Sequence, residues 1–281
     1  MPPEDRYAQP LAVEPGRLIR SIDEPIRVGS MLWVFTDPHR GHELAYNRWY
    51  ERDHYYAGCM IGANTVAGSR WVATRDHKAV RFPETSPMPF ALADGSYACV
   101  YYILDGEHDA WLDWATPQLH ALYAADRGFQ ARTHYNTGVY RHRWRAYRDA
   151  DPIPVELALD ARYPGMVALF VEPTGSQEAV DDWFDAELPG WLEGSPVASV
   201  VAWTPEPLLD TKPDFVPVDP NAGERVLHVH FVDGDPLAEW HRWEDLAAKL
   251  EASGVGRVVW ASPFAQTHMG TDRYVDELWP E

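Results

Sequence analysis

In the run Trp49-Tyr50-Glu51-Arg52-Asp53-His54-Tyr55-Tyr56 a histidine stands beside two carboxylates and among phenols, the residue types that general acid–base chemistry uses. An imidazole exchanges a proton near neutral pH, and a carboxylate such as Asp53 or Glu51 can tune or orient it. Adjacent helical residues point about 100° apart, so Asp53 need not touch His54, whereas Tyr50, four residues earlier, shares its face. A phenol there can donate to a carbonyl or an enolate in an apolar pocket. The plainer alternative is a histidine packed beneath a helix end, in a chain whose 14 tyrosines fall near many residues. Arg70, in a strand-like run, can clamp an acidic substrate or simply pair with a carboxylate at the rim.

Other chemistry-bearing residues are more scattered. His228 and His230 flank Val229, so on a strand both face one side while Leu227, Val229 and Phe231 face the other. If their side is an interior, they line a polar pocket or form a hydrogen-bonded pair; two ligands without a third make a poor metal site. His77 and His134-Tyr135-Asn136 fall in expected loops, and His268 in a tail. The sequence has no Gly-x-Gly-x-x-Gly after a strand, no phosphate-binding Gly-x-x-x-x-Gly-Lys-Ser/Thr, no Gly-x-Ser-x-Gly, no Cys-x-x-Cys and no His-Glu-x-x-His. No cofactor or metal is therefore expected, although noncovalent heme, which needs one histidine and an apolar cleft, stays open.

The apolar pattern gives the elements that must carry these residues. Residues 1–28, with five prolines and no sustained period, read as an extended arm. Strands are expected at Met31–Thr36, Val66–Thr74, Ser96–Leu104 and Val139–Tyr147, with helices over 42–57 and 107–126 and a proline-broken loop between the second and third strands. The second half repeats the order: strands at Met166–Val171, Val197–Trp203, Arg225–Val232 and Gly256–Ala261, and helices over 176–192 and 235–252. Trp49-Tyr50-Glu51-Arg52-Asp53 aligns with Trp183-Phe184-Asp185-Ala186-Glu187, and Leu104-Asp105-Gly106-Glu107 with Val232-Asp233-Gly234-Asp235, the mark of a duplication. Each half has the βαββαβ order of a ferredoxin-like unit, whose sheet has one bare face. Two units pressing those faces together enclose a core, which aromatic strands require. The expected fold is α+β, two fused ferredoxin-like units forming an intramolecular barrel, with the units at 29–150 and 164–262 and a tail at 263–281.

The segment Tyr46-Asn47-Arg48-Trp49-Tyr50-Glu51-Arg52-Asp53-His54-Tyr55, followed by the strand with Arg70, resembles the helix signature of EthD-like proteins in the dimeric α+β barrel superfamily. Asp53-His54 stand where that family carries Glu-His, and Tyr55 replaces its Leu. In the second half Glu187-Leu188-Pro189 keeps the flanks and lacks the histidine. The tail Gly270 to Trp279 is similar to a C-terminal motif of the same group. The resemblance spans most of residues 30–279 and implies a site at His54 in the first half only. The superfamily holds cofactor-free cyclases, isomerases and monooxygenases as well as heme enzymes, so fold alone does not select a reaction.

Composition narrows the partners. A net charge of −19, from 24 Lys+Arg against 43 Asp+Glu, repels nucleic acid and anionic membrane surfaces. No stretch reaches the roughly 18 apolar residues of a spanning helix, the start lacks a signal peptide's pattern, and two cysteines make no disulfide framework, so a cytoplasmic protein is expected. The function expected is a cofactor-independent lyase, isomerase or cyclase acting on a hydrophobic, aromatic or polycyclic small molecule. His54 is its acid/base, Tyr50 a donor, Arg70 an orienting charge and Asp53 a tuning carboxylate, with Trp49, Tyr55, His228 and His230 as substrate contacts. The rivals are a heme-dependent oxidase, peroxidase or dehydratase with an axial histidine, and a non-catalytic binding protein, each as a monomer with a pseudo-dimeric barrel or as a homodimer.

Overall fold

The computed structural model describes residues 10–21, 26–207, 212–217, 219 and 221–280. Eight strands close one antiparallel barrel in the order β1-β3-β2-β8-β5-β7-β6-β4, and β4 pairs back onto β1. They are β1 (Val28–Pro38), β2 (Thr65–Val72), β3 (Tyr97–Leu104), β4 (Arg132–Tyr147), β5 (Gly165–Pro173), β6 (Val197–Glu206), β7 (Val226–Val232) and β8 (Gly256–Gln266). The barrel closes within one chain. A short β2·β8 seam, Trp71 to Gln266 and Val72 to Ala265, and a long β4·β6 seam join the first four strands to the last four.

Period-2 alternation fills the barrel. Met31, Trp33 and Phe35 of β1, Trp71 of β2, Trp203 of β6, Leu227, Val229 and Phe231 of β7, and Trp260 and Phe264 of β8 belong to one buried cluster. Phe35 lies edge-on to Trp260 with centroids 5.2 Å apart. Each such side chain contributes about 1.5–3 kcal/mol by leaving water, so the interior is a packed core. The connection from β4 to β5 adds Val155, Ala158, Leu159 and Tyr163 to that cluster.

Helices cover the outside. α1 (Glu43–Trp49) runs directly into two π-helical turns, Tyr50–His54 and Tyr56–Met60. α2 (Arg75–Ala79) is one short turn, and α3 (His108–Ala124) packs Trp111 against Ile103 and Val139. α4 (Gln177–Leu192) and α5 (His241–Ser253) cover the other half of the barrel, burying Val180, Phe184, Leu188, Trp243, Leu246 and Leu250. Ser176 caps α4 by accepting from the Ala179 N–H, worth about 1 kcal/mol. Gly254 ends α5 in the left-handed region at φ 76°, which a side chain would resist.

Several sequence expectations shift. β4 begins at Arg132 rather than Val139, so His134, Tyr135 and Asn136 lie on a strand and not in a loop; Thr133, Tyr135 and Thr137 are strand formers, and Gly138 does not break the run. His77 sits in α2, bonded through Nδ1 to the Thr74 hydroxyl at 2.8 Å. The α5 region opens with a 3₁₀ turn, Pro236–Glu239, and β8 extends to Gln266. The described part of the arm packs on the β4 end and α4, with Ile19 bridging Arg145 and the Leu18 N–H donating to Asp185 at 2.9 Å. Its residues 1–9 and 22–25 lie outside the described residues, as do 208–211, 218 and 220 of the proline-rich loop.

Candidate functional site

α1 lies on β1, β2 and β3 through Tyr46, Tyr50, Tyr55 and Cys59, packed against Val34, Val72, Tyr97, Cys99 and Tyr101. Two successive π turns are rare in a helix and recur at functional sites, because the extra residue turns a side chain away from its α-helical direction. His54 closes the first of them. Its ring stacks on Trp49 at 4.4 Å and 17° and meets the edge of Tyr50 at 5.4 Å. It also lies against Gly58, where a Cβ would come 2.9 Å from its Cε1. The Nδ1 atom is buried and has no hydrogen-bond partner among the described residues. Burial, and then the charge of Arg132, push the imidazole down to about 3, so it is neutral.

The other side of the cluster comes from β4. His134 pairs in register with Thr36, whose hydroxyl bonds Tyr46 of α1 at 2.7 Å, so both face the helix. His134 Nε2 accepts from Arg132 Nε at 2.8 Å and its Nδ1 meets the Thr137 hydroxyl at 2.8 Å. That pairing fixes the tautomer with the proton on Nδ1, and burial with the Arg132 charge holds the ring neutral. Arg132 also donates to the Phe129 carbonyl and the Tyr123 hydroxyl, and its guanidinium lies 4.9 Å from the Trp49 ring and 5.0 Å from Phe215. A cavity of about 180 Å³ opens here, lined by Tyr123, Phe129, Gln130, Arg132, Thr133, His134 and Phe215.

The expected site residues divide. Trp49 joins His54 to the Arg132 side, and its indole N–H donates to the Arg127 carbonyl at 2.8 Å. Asp53 pairs with Arg127 instead of His54, as the roughly 100° between helical neighbours allows. Tyr50 turns its hydroxyl to Tyr101 at 2.9 Å, in full burial that raises it far above the ordinary phenol range. Tyr55 packs on the Tyr101 ring at 5.4 Å, with Gly68 of β2 beneath it. None of Trp49, Tyr50, Asp53, His54 or Tyr55 lines the cavity.

Arg70 is not at hand for a substrate either. It is fully buried beneath α1, donates to Asn47 and to Glu51 at 2.9 Å, and lies 3.9 Å from the Tyr97 ring. Glu51 in turn accepts from the Gly270 N–H at 2.8 Å, which ties the tail to α1. Arg48 with Asp272 and Trp279 with Glu43 fasten the same tail, and Leu278 is buried under it.

His228 and His230 belong to the other half. They face outward from β7 into the layer beneath α4 and α5, whereas Leu227, Val229 and Phe231 take the barrel interior. His228 is fully buried, 4.6 Å from Phe184 and 4.9 Å from Trp144, with neither ring nitrogen bonded among the described residues. His230 Nδ1 accepts from the Trp243 indole at 3.2 Å. Among the described residues no three His, Cys, Asp or Glu side chains converge as a metal site would require.

Arg132 and Phe215 carry much of the cavity wall and were not singled out in the sequence. Arg132 has a usable signal, a strand-forming Arg-x-His before Thr137 in an acidic chain, but Phe215 sits in an irregular proline-rich stretch with none.

No family model and no curated protein matches the chain. Solved structures similar to it include an anthrone oxidase-like protein, at 9% identity over 91% of this chain and 98% of that one, with a TM-score of 0.49. DyPB from Rhodococcus jostii RHA1 aligns at 10% over 95% and 98%, TM-score 0.44, and a variant of it is described in complex with heme. A structure described as a candidate monooxygenase from Fusobacterium nucleatum subsp. nucleatum ATCC 25586 aligns at 8% over 86% and 93%, TM-score 0.46. These neighbours are dimeric α+β barrel proteins. Likeness this distant carries no chemistry over to this chain. No helix among the described residues is long and apolar enough to cross a membrane.

Proposed function

We infer that the chain is an enzyme that moves a proton on a small ring-bearing molecule at the cluster of His54, Trp49, Arg132 and His134, the two halves of the chain being ferredoxin-like units fused into one barrel. The observation that carries this reading is His54: a neutral imidazole with an unpartnered buried nitrogen, set by a π turn and stacked on Trp49, whose ring also meets the Arg132 guanidinium of the cavity wall. His54 is the proton carrier. Trp49 holds its plane, and the tautomer of His134 keeps a proton away from Arg132. Tyr123, Phe129 and Phe215 at the cavity wall offer ring surfaces to such a ligand.

A neutral imidazole held near 3 is a weak base in the empty site. The second cause of that depression is the Arg132 charge, so a ligand that neutralises Arg132 raises His54 toward the range where it can accept a proton. Removal of a proton beside a carbonyl is the chemistry such a base supports, with isomerase, lyase or oxygen-consuming outcomes decided by the substrate.

The rival reading is a heme-dependent oxidase or peroxidase, favoured by the free ring nitrogens of His228 and His54. Heme needs an apolar slot with a histidine nitrogen at its wall. His228 is packed against Trp144 and Phe184, and His54 against Trp49 and Gly58, so neither ring as packed has a slot for a macrocycle beside it and the described residues do not fit the group.

The test is solvent-deuterium exchange, followed by NMR, on a panel of single-ring carbonyl compounds with wild type and His54→Gln. Exchange that depends on His54 supports the reading; equal rates would overturn it. An absorption spectrum of the same samples separates the rival, since a Soret band lost in one histidine variant would replace proton transfer with heme chemistry.

A further inference from the structure

The arginines of this acidic chain are mostly matched by acids: Arg48 with Asp272, Arg127 with Asp53, Arg141 with Glu206 and Arg145 with Glu156. Arg81 and Arg132 are not, but Arg81 spends its donors inside the fold on the Leu92, Asp94 and Gly95 carbonyls and the Ser262 hydroxyl, whereas Arg132 lies at a cavity wall. Among the described residues its hydrogen-bond acceptors are a carbonyl, a phenol and a neutral imidazole, with no carboxylate in ion-pair range. Its guanidinium keeps further N–H groups beyond these three, sits between the Trp49 and Phe215 rings, and forms part of the cavity wall. A cation held against rings without a counter-charge is costly to keep for packing alone, because neutral partners do not balance it.

We propose that Arg132 is the anion-recognising residue of the cavity and that the ligand is a single-ring aromatic carboxylate. This rests on the reading of the cluster as the functional site and specifies its substrate class. The planar fork of a guanidinium matches a carboxylate through two parallel hydrogen bonds, which fixes the ligand's orientation as well as its charge. The ring has its own surfaces: Tyr123 and Phe215 stack at 5.3 Å and 26°, and Phe129 lines the same space. Arg132 thereby places the substituent next to the carboxylate on the side of His134 and Trp49.

Isothermal titration with benzoate and with benzamide, its neutral isostere, tests the assignment on the full chain. Benzoate binds wild type at least tenfold more tightly than benzamide. Arg132→Gln lowers benzoate affinity to the benzamide level, and Arg132→Lys, which keeps the charge without the fork, falls between them. Circular dichroism on each variant guards against loss of fold, and the benzoate-to-benzamide ratio in wild type decides the matter where a variant does not fold. Equal binding of the two probes, no benzoate binding, or unchanged benzoate affinity in folded Arg132→Gln would each overturn the proposal. Benzoate binding that needs Arg132, in a protein whose proton exchange ignores His54, would leave the anion site standing and sink the proton-transfer reading instead.

Discussion

His228 is fully buried between Trp144 and Phe184, with both ring nitrogens unpartnered among the described residues and its pKa pushed down to about 3 by burial and by Arg143. Replacing it by leucine, of similar volume, removes two desolvated polar atoms and one latent charge. At pH 7 the gain from deleting an unpaired buried polar group, about 1–3 kcal/mol, is offset by about 0.5–1.5 kcal/mol for each lost aromatic contact, so stability holds or rises slightly. The pH dependence is sharper. The unfolded chain's imidazole titrates near 6.5 and the folded one near 3, so between those values the unfolded state binds more protons and folding weakens as pH falls. From pH 7 to pH 5 this amounts to about 2 kcal/mol. Urea titrations at both pH values therefore show wild type losing about 2 kcal/mol more than His228→Leu. Asp181 is common to both proteins; His230, held down first by burial and then by His228, is relieved of the second in the variant, so the difference reads His228 together with its coupling to His230. Parallel losses in the two proteins, or a leucine variant much less stable at pH 7, would mean that His228 has a partner the geometry does not include, and the reasoning would fail.

Four further outcomes follow from the first half of the chain. Gly58→Ala raises helix propensity by up to about 1 kcal/mol yet drives its Cβ into the His54 ring, so thermal stability is kept while His54-dependent exchange falls about 10²-fold; retained exchange would remove His54 from the chemistry. Glu51→Gln strips the buried Arg70 of its counter-charge and costs about 3–5 kcal/mol in urea titration, with faster proteolysis of the tail around Gly270; an unchanged midpoint would contradict the pair's role. Asp53→Asn breaks a partly exposed ion pair with Arg127 and shifts stability by less than about 1 kcal/mol, which the same titration measures. Benzoate binding is accompanied by proton uptake in titrations across buffers of different ionisation enthalpy, because neutralising Arg132 raises His54, which faces Asp53, Arg127, Arg132 and His134; zero uptake would uncouple the two residues.

The element order was legible because strand and helix periods are strong in this chain, and the tryptophans Trp71 and Trp203 reached the interior from matching strands. Three features were not. Period 2 puts His228 and His230 on one side of β7 but does not say which, since a closed barrel covered by helices buries both sides of a strand. The π turns leave almost no pattern: one extra residue per turn shifts directions that apolar spacing cannot resolve, and Gly58 is the single cue. The first residues of β4, Arg132, Thr133 and His134, are polar and line the cavity, and their polarity made the start of the strand read as a loop.

The two halves spend the same helix differently, and this explains why the site is one-sided. In the second half the residue aligned with His54 is Leu188, fully buried among Phe184, Trp191 and Leu192 on a helix that runs on through Pro189 to Leu192 without a π turn. There the helix face is all core. In the first half the backbone slips into π turns at the same place and a polar ring is packed against Trp49, with Arg132 on the far element. The departure from regular geometry costs helical hydrogen-bond quality, while α4 and α5 pack on the outside of the barrel to which the first-half strands are joined along β4 and β6. On the proposed reading of two fused units, one half can hold an irregular helix because the other is under no such demand.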